Sequence, residues 1–113
     1  MDDFWIYLQR LVDNSQIMLD RPKGAVHPRY ASQPYPVSYG YLAGTTAMDA
    51  NGVDIWVGSL GEKRVVGALC TVDLLKRDTE LKILWDCTED EIMSILHFVN
   101  QGEMRAIYLK RED

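Results

Sequence analysis

The sequence predicts one α+β domain, mainly β, with a helix near each end. Three observations carry this. A length of 113 residues suits a single domain. Short apolar runs, some strictly alternating, recur between turn-forming residues, as half-buried strands require. Helical spacing of apolar residues occurs twice, once at the start and once late in the chain.

In chain order, Asp2 to Asp13 place Trp5, Leu8, Leu11 and Val12 at helical spacing, which predicts a short amphipathic helix packed on the body. Ser15 to Leu19 reads as a strand that delivers Asp20 at its end. Arg21 to Gly44 holds all four prolines together with Gly24, Gly40 and Gly44, and is expected to be a long irregular connection. Tyr30, Tyr35, Tyr39 and Tyr41 give that connection material to pack, and long ordered loops in compact domains are usually functional. Val53, Ile55 and Val57 alternate along the next strand. Arg64 to Val72 forms another, after a turn at Gly61, and Leu81 to Trp85 a third. Thr88 and Glu91 make a capping-box pattern ahead of Ile92, Ile95, Leu96 and Val99, so a second helix starts there. Gly102 suits its C′ position, and Met104 to Leu109 reads as a closing strand. Short strands, tight turns and a late helix point to a small OB-type β-barrel or an α+β roll.

Composition narrows the function. With 47% hydrophobic and 26% charged residues, the chain is globular. A net charge of −5 argues against nucleic acid or an anionic membrane as partner, since both select basic surfaces. A site loaded with cations is the exception, because bound metal reverses the local field. Cys70 and Cys87 read as two free thiols, since nothing argues for an oxidising compartment. Asp2 and Asp3 stand where a secretory signal would be basic, and no apolar run approaches the ~20 residues of a membrane span, so a cytoplasmic location is expected.

The chemistry concentrates in Tyr35-Pro36-Val37-Ser38-Tyr39-Gly40-Tyr41 and, shortly after, Met48-Asp49-Ala50-Asn51-Gly52-Val53-Asp54. Asp49, Asn51 and Asp54 gather oxygen donors just before a strand, and hard cations such as Mg²⁺ take oxygen ligands. Asp, Asn and Gly also make ordinary turns. A calcium-binding EF-hand loop is excluded, because its twelfth position is Leu60 rather than Glu.

This pattern resembles the family I soluble inorganic pyrophosphatases, above all their short bacterial variants. Asp49 and Asp54 match the first and last aspartates of that family's Asp-Gly-Asp-Pro-x-Asp signature, and Tyr39 its phosphate-site tyrosine. Leu19-Asp20-Arg21-Pro22-Lys23-Gly24 is similar to its Glu-Ile-Pro-Lys-Gly segment, which puts Asp20 at the active-site glutamate. Arg29-Tyr30 resembles Lys-Tyr-Glu, with Arg29 as a phosphate-binding cation. Gly67-Ala68-Leu69 leads to Asp73 and Asp78, five apart like the family's second aspartate pair, with Glu80 as the alternative to Asp78 because Lys82 follows it by two. The resemblance implies Mg²⁺-dependent hydrolysis of pyrophosphate or a related phosphoanhydride. It implies a metal set of Asp20, Asp49, Asp54, Asp73 and Asp78, and substrate contacts from Lys23, Arg29, Tyr39 and Lys82. A small phosphate-bearing substrate is then the partner, without nucleic acid or membrane, and homo-oligomer formation is left open.

Asn51 replaces the family's middle aspartate, which helps activate the attacking water, and Ala31 replaces the glutamate after Lys-Tyr. Those departures motivate the alternative of a catalytically retired domain that binds metal and phosphate or serves as an interaction module. Tyr108 and Lys110 are more ordinary as strand residues than as counterparts of the family's C-terminal Tyr-Lys pair. His97 reads as a surface residue of the late helix, and His27 sits beside Pro28 and Arg29 in the long connection. Neither stands near a cysteine at zinc spacing.

Overall fold

The structure, a computed structural model, describes residues 3–27, 33–47 and 50–112. Its elements run α1 (Phe4–Asp13), β1 (Ile17–Arg21), β2 (Ser38–Leu42), β3 (Val53–Val57), β4 (Val65–Asp73), β5 (Asp78–Trp85), α2 (Glu89–Val99) and β6 (Met104–Lys110). The expected mainly β, α+β architecture with two helices is what forms. The six strands make one mixed sheet in the order β1-β2-β3-β5-β4-β6, which stays open, with β1 and β6 as its edges.

One strand lies inside the stretch expected to be irregular. β2 pairs with both β1 and β3, despite the glycine at its centre. Glycine normally weakens a strand, yet here the neighbour demands it. A Cβ on Gly40 would run into the Met18 carbonyl oxygen. The close approach of β1 explains why a residue that punctuates loops sits mid-strand.

Among the described residues β3 and β5 are the one parallel pair, with Ile55, Trp56 and Val57 opposite Ile83, Leu84 and Trp85. The β4–β5 hairpin supplies β5, so β3 and β5 meet although β4 lies between them in sequence.

Alternation splits the apolar residues between two faces. On one face α1 buries Leu8 and Val12 against Leu42, Ile55, Val65 and Ile83. On the other, α2 buries Ile92, Ile95 and Val99 against Trp56, Leu69 and Leu84. Leu11, expected on the inner stripe of α1, is instead 39% exposed, because the helix buries only the narrower Leu8–Val12 seam. At α2 the capping box is complete: Thr88 accepts the Glu91 N–H and the Glu91 carboxylate accepts the Thr88 N–H. The helix closes at Asn100, whose N–H and side-chain amide both donate to the Leu96 carbonyl; Gly102, at φ +56, lies beyond the C′ position assigned to it.

Asp86 follows β5 in a left-handed conformation, φ +58, and is buried. Its carboxylate accepts the backbone N–H groups of Gly61 and Glu62, each at 2.8 Å, which closes the loop between β3 and β4. Buried carboxylates need such partners.

Candidate functional site

α2 covers only the apolar half of its face. Along β5 that face reads Asp78, Glu80, Lys82, Leu84; along β3 it reads Asp54, Trp56; along β2 it reads Tyr39, Tyr41. Leu84 and Trp56 go under the helix. The polar residues one step away along the same strands open into a cavity of about 500 Å³. Period-two alternation therefore puts core and site on one surface.

Lys82 is the centre of that surface. Its ammonium donates to Tyr39 Oη at 2.7 Å, Asp54 Oδ2 at 2.8 Å and Glu80 Oε2 at 3.0 Å. An ammonium has three N–H donors, and all three are filled. The side chains of Lys82, Glu80 and Asp54 are 10%, 9% and 22% exposed, so the ion pairs are largely withdrawn from water. Burial by itself would favour neutral Lys82. The tyrosine oxygen and the Asp54 carboxylate outweigh it and hold the ammonium charged well above its ordinary range. Burial, aided by Asp54 and opposed by Lys82, raises the Tyr39 phenol above its usual value. At neutral pH Tyr39 is thus a neutral acceptor for Lys82. Burial also raises the Glu80 carboxyl, with Lys82 pulling against it and Asp54 with it.

Packing fixes the geometry. Tyr39 lies against Trp56 at 4.6 Å between ring centroids and against Tyr35 at 5.8 Å, and Tyr35 continues to Phe98 of α2 at 4.8 Å. Aromatic contacts of this kind stabilise beyond their buried area.

Of the residues singled out from sequence, Asp20, Tyr39, Asn51, Asp54 and Lys82 line one cavity. Asp20 comes by a β-bulge: Leu19 faces Gly40 and Arg21 faces Tyr39, so Asp20 is the extra residue of the strand. Bulges re-aim side chains in this way. Arg29 and Asp49 lie outside the described residues. Lys23 is exposed away from the cavity, its N–H donating to Ser38 Oγ. Asp73 and Asp78 face each other at the ends of β4 and β5, and neither lines the cavity. Asp78 is two residues short of Glu80, roughly 7 Å along the strand. Of the alternatives Asp78 and Glu80, the cavity takes Glu80.

Tyr41, Gly52 and Lys76 complete the lining and were not singled out. Tyr41 was visible by alternation from Tyr39. Lys76 carried no such signal, because it sits in a turn.

Three carboxylates against two ammonium groups leave the lining one charge negative. A free phosphate anion is repelled by such a lining unless a cation comes with it. Among the described residues, no three His, Cys, Asp or Glu side chains converge as a ready metal cage. Mg²⁺ commonly uses one or two carboxylates together with water and substrate phosphate. Asp20, Asn51, Asp54 and Glu80 offer oxygen donors of that kind. Among the described residues, no helix is long and apolar enough to cross a membrane. No model of a known family and no curated protein matches the chain.

Proposed function

We propose that the chain is a Mg²⁺-dependent hydrolase of pyrophosphate or a closely related phosphoanhydride, working in the cytoplasm. The observation that carries this reading is the Lys82 cluster. Lys82 bonds to both Tyr39 and Asp54, and resemblance to one phosphate-processing motif set points to each of the three separately.

Each residue then has a task. Asp54 and Glu80, with Asp20 across the cavity, present carboxylate oxygens to Mg²⁺. When bound there, Mg²⁺ would neutralise charge and make a coordinated water more acidic. Lys82, held charged by its partners, offsets the carboxylates and keeps both fixed in place. Tyr39 offers a neutral hydroxyl for a phosphoryl oxygen. Asn51 orients a water through its amide but takes up no proton from it. Losing a general base costs about 10²–10⁴ in rate, so slow turnover is expected.

Phosphate release from pyrophosphate, measured with Mg²⁺ and with Mn²⁺, tests the reading. Turnover above an Asp54→Ala control supports it. Absence of turnover, with Mg²⁺ and phosphate still bound, would leave the retired binding module as the better account.

A further inference from the structure

Lys82 has no N–H left for a ligand, which makes the cavity's other cation the more informative one. Lys76 lines the same cavity from the turn between β4 and β5. Among the described residues, its ammonium has neither an ion pair nor a hydrogen bond; only its backbone N–H is engaged. We infer that Lys76 is the contact for the second phosphoryl group of a diphosphate ligand, and that Asp73 is the residue that positions it. This rests on the reading of the cavity as a metal–phosphate site.

The turn is built to hold Lys76 in place. Asp73 Oδ1 accepts the N–H of Leu75 at 2.9 Å and of Lys76 at 3.1 Å. The Leu74 N–H donates to the Glu103 carbonyl at 3.0 Å, fastening the turn to the segment before β6. Arg77 adopts φ +61, so the chain reverses directly after Lys76. The backbone bonds of Leu74, Leu75 and Lys76 thus fix where the lysine leaves the turn, while its flexible stem reaches the cavity. Asp73, which the resemblance placed among metal ligands, thus gives its Oδ1 to the turn.

Division of labour follows. The inner carboxylates and a cation hold one phosphoryl group at the cavity floor. A diphosphate extends a second group toward the rim, where Lys76 is the uncommitted cation; orthophosphate has no such group. Lys76 thereby selects between two anions of the same chemistry.

Calorimetric binding of imidodiphosphate and of orthophosphate, each with Mg²⁺, tests this on the full chain. Lys76→Ala is expected to weaken imidodiphosphate about tenfold, as loss of a charge-assisted hydrogen bond does, and orthophosphate less than threefold. Lys76→Arg should retain most of the affinity. Asp73→Ala should reproduce much of the Lys76→Ala loss. Asp73→Asn keeps an acceptor oxygen for both N–H groups and should bind nearly as the parent does. Melting curves separate a collapsed turn from a misplaced lysine, and Lys76→Ala disturbs no backbone bond. Unchanged imidodiphosphate affinity in Lys76→Ala, or equal loss for both anions, overturns the inference while leaving the site's reading intact. If Asp73→Asn loses Mg²⁺ affinity as fully as Asp73→Ala, Asp73 is a ligand and its positioning role falls. If the parent protein binds neither anion, the reading of the site fails, and this inference with it.

Discussion

Lys82 Nζ and Asp54 Oδ2 stand 2.8 Å apart across the parallel β3–β5 pair, and that contact joins the sheet's interior to its chemistry. Removing the cation strands two buried carboxylates beside each other. Lys82→Met should destabilise the fold by about 3 kcal/mol in denaturant titrations at neutral pH. The deficit should shrink as the solution is acidified and the carboxylates take up protons. A loss near zero at every pH would mean that water reaches the cluster freely.

Alkali should expose the same cluster. Lys82 and Tyr39 both hold their protons more tightly in the folded chain than in the unfolded one. The linked stability is therefore complete below the unfolded values, about pH 10, and is lost as pH rises beyond them. Tyrosinate absorbance should show Tyr39 lagging until the protein unfolds, with Tyr108, which burial also raises, ionising before it. Tyr39→Phe should remove that lag; a lag that persists assigns it to another tyrosine.

Burial, with Glu91 and Asp86 nearby, pushes the Cys87 thiol up to about 12, and its Sγ lies 3.8 Å from the Trp56 carbonyl oxygen. Thiolates are the reactive form. Near pH 8, native protein should leave Cys87 unmodified by thiol reagents until denaturant is added. The half-buried Cys70 is the thiol that mass mapping should find modified first.

Thr88→Ala removes one half of the α2 capping box and should cost about 1 kcal/mol. Burial disfavours the Glu91 charge, but N–H donors of Thr88 and Ser59 prevail and lower its carboxyl. Its contribution is present above the unfolded carboxylate range and is lost as pH falls through the lowered folded value. Thermal melts of Glu91→Gln should accordingly converge on the parent at low pH and fall below it near neutrality.

Asn51→Asp restores a proton acceptor at the cavity wall. Mg²⁺ affinity should rise from the added charge, and pyrophosphate turnover should increase measurably toward the 10²–10⁴ that a positioned base contributes. Tighter metal binding without turnover would favour the binding-module reading, and no change in either would remove Asn51 from the site.

Much of the fold was legible because its signals are local. Val53, Ile55 and Val57 alternate along β3, and Thr88 with Glu91 announces α2. β2 was hidden because Gly40 is explained only by the nearness of Met18, a fact of strand packing rather than of local sequence. Likewise, Asp54 and Lys82 could be picked out one at a time, whereas their shared bond could not. Spacing picks out Asp73 as well, but not that its Oδ1 accepts the Leu75 and Lys76 N–H groups. Residue type and interval are visible in a sequence; whether an oxygen is already occupied is not.

The parallel pairing of β3 with β5 also decides when the site comes into being. Adjacent parallel strands cannot be joined by a tight turn. Tyr39, Asn51 and Asp54 are all made before β4 begins, yet Lys82 and Glu80 reach them only when the β4–β5 hairpin docks against β3. A chain cut at Gly61 owns the tyrosine and the aspartate and has neither of the cavity's two lysines. The ion pairs of Lys82 are therefore a mark of completed assembly, withheld from partial folds by the order of the strands.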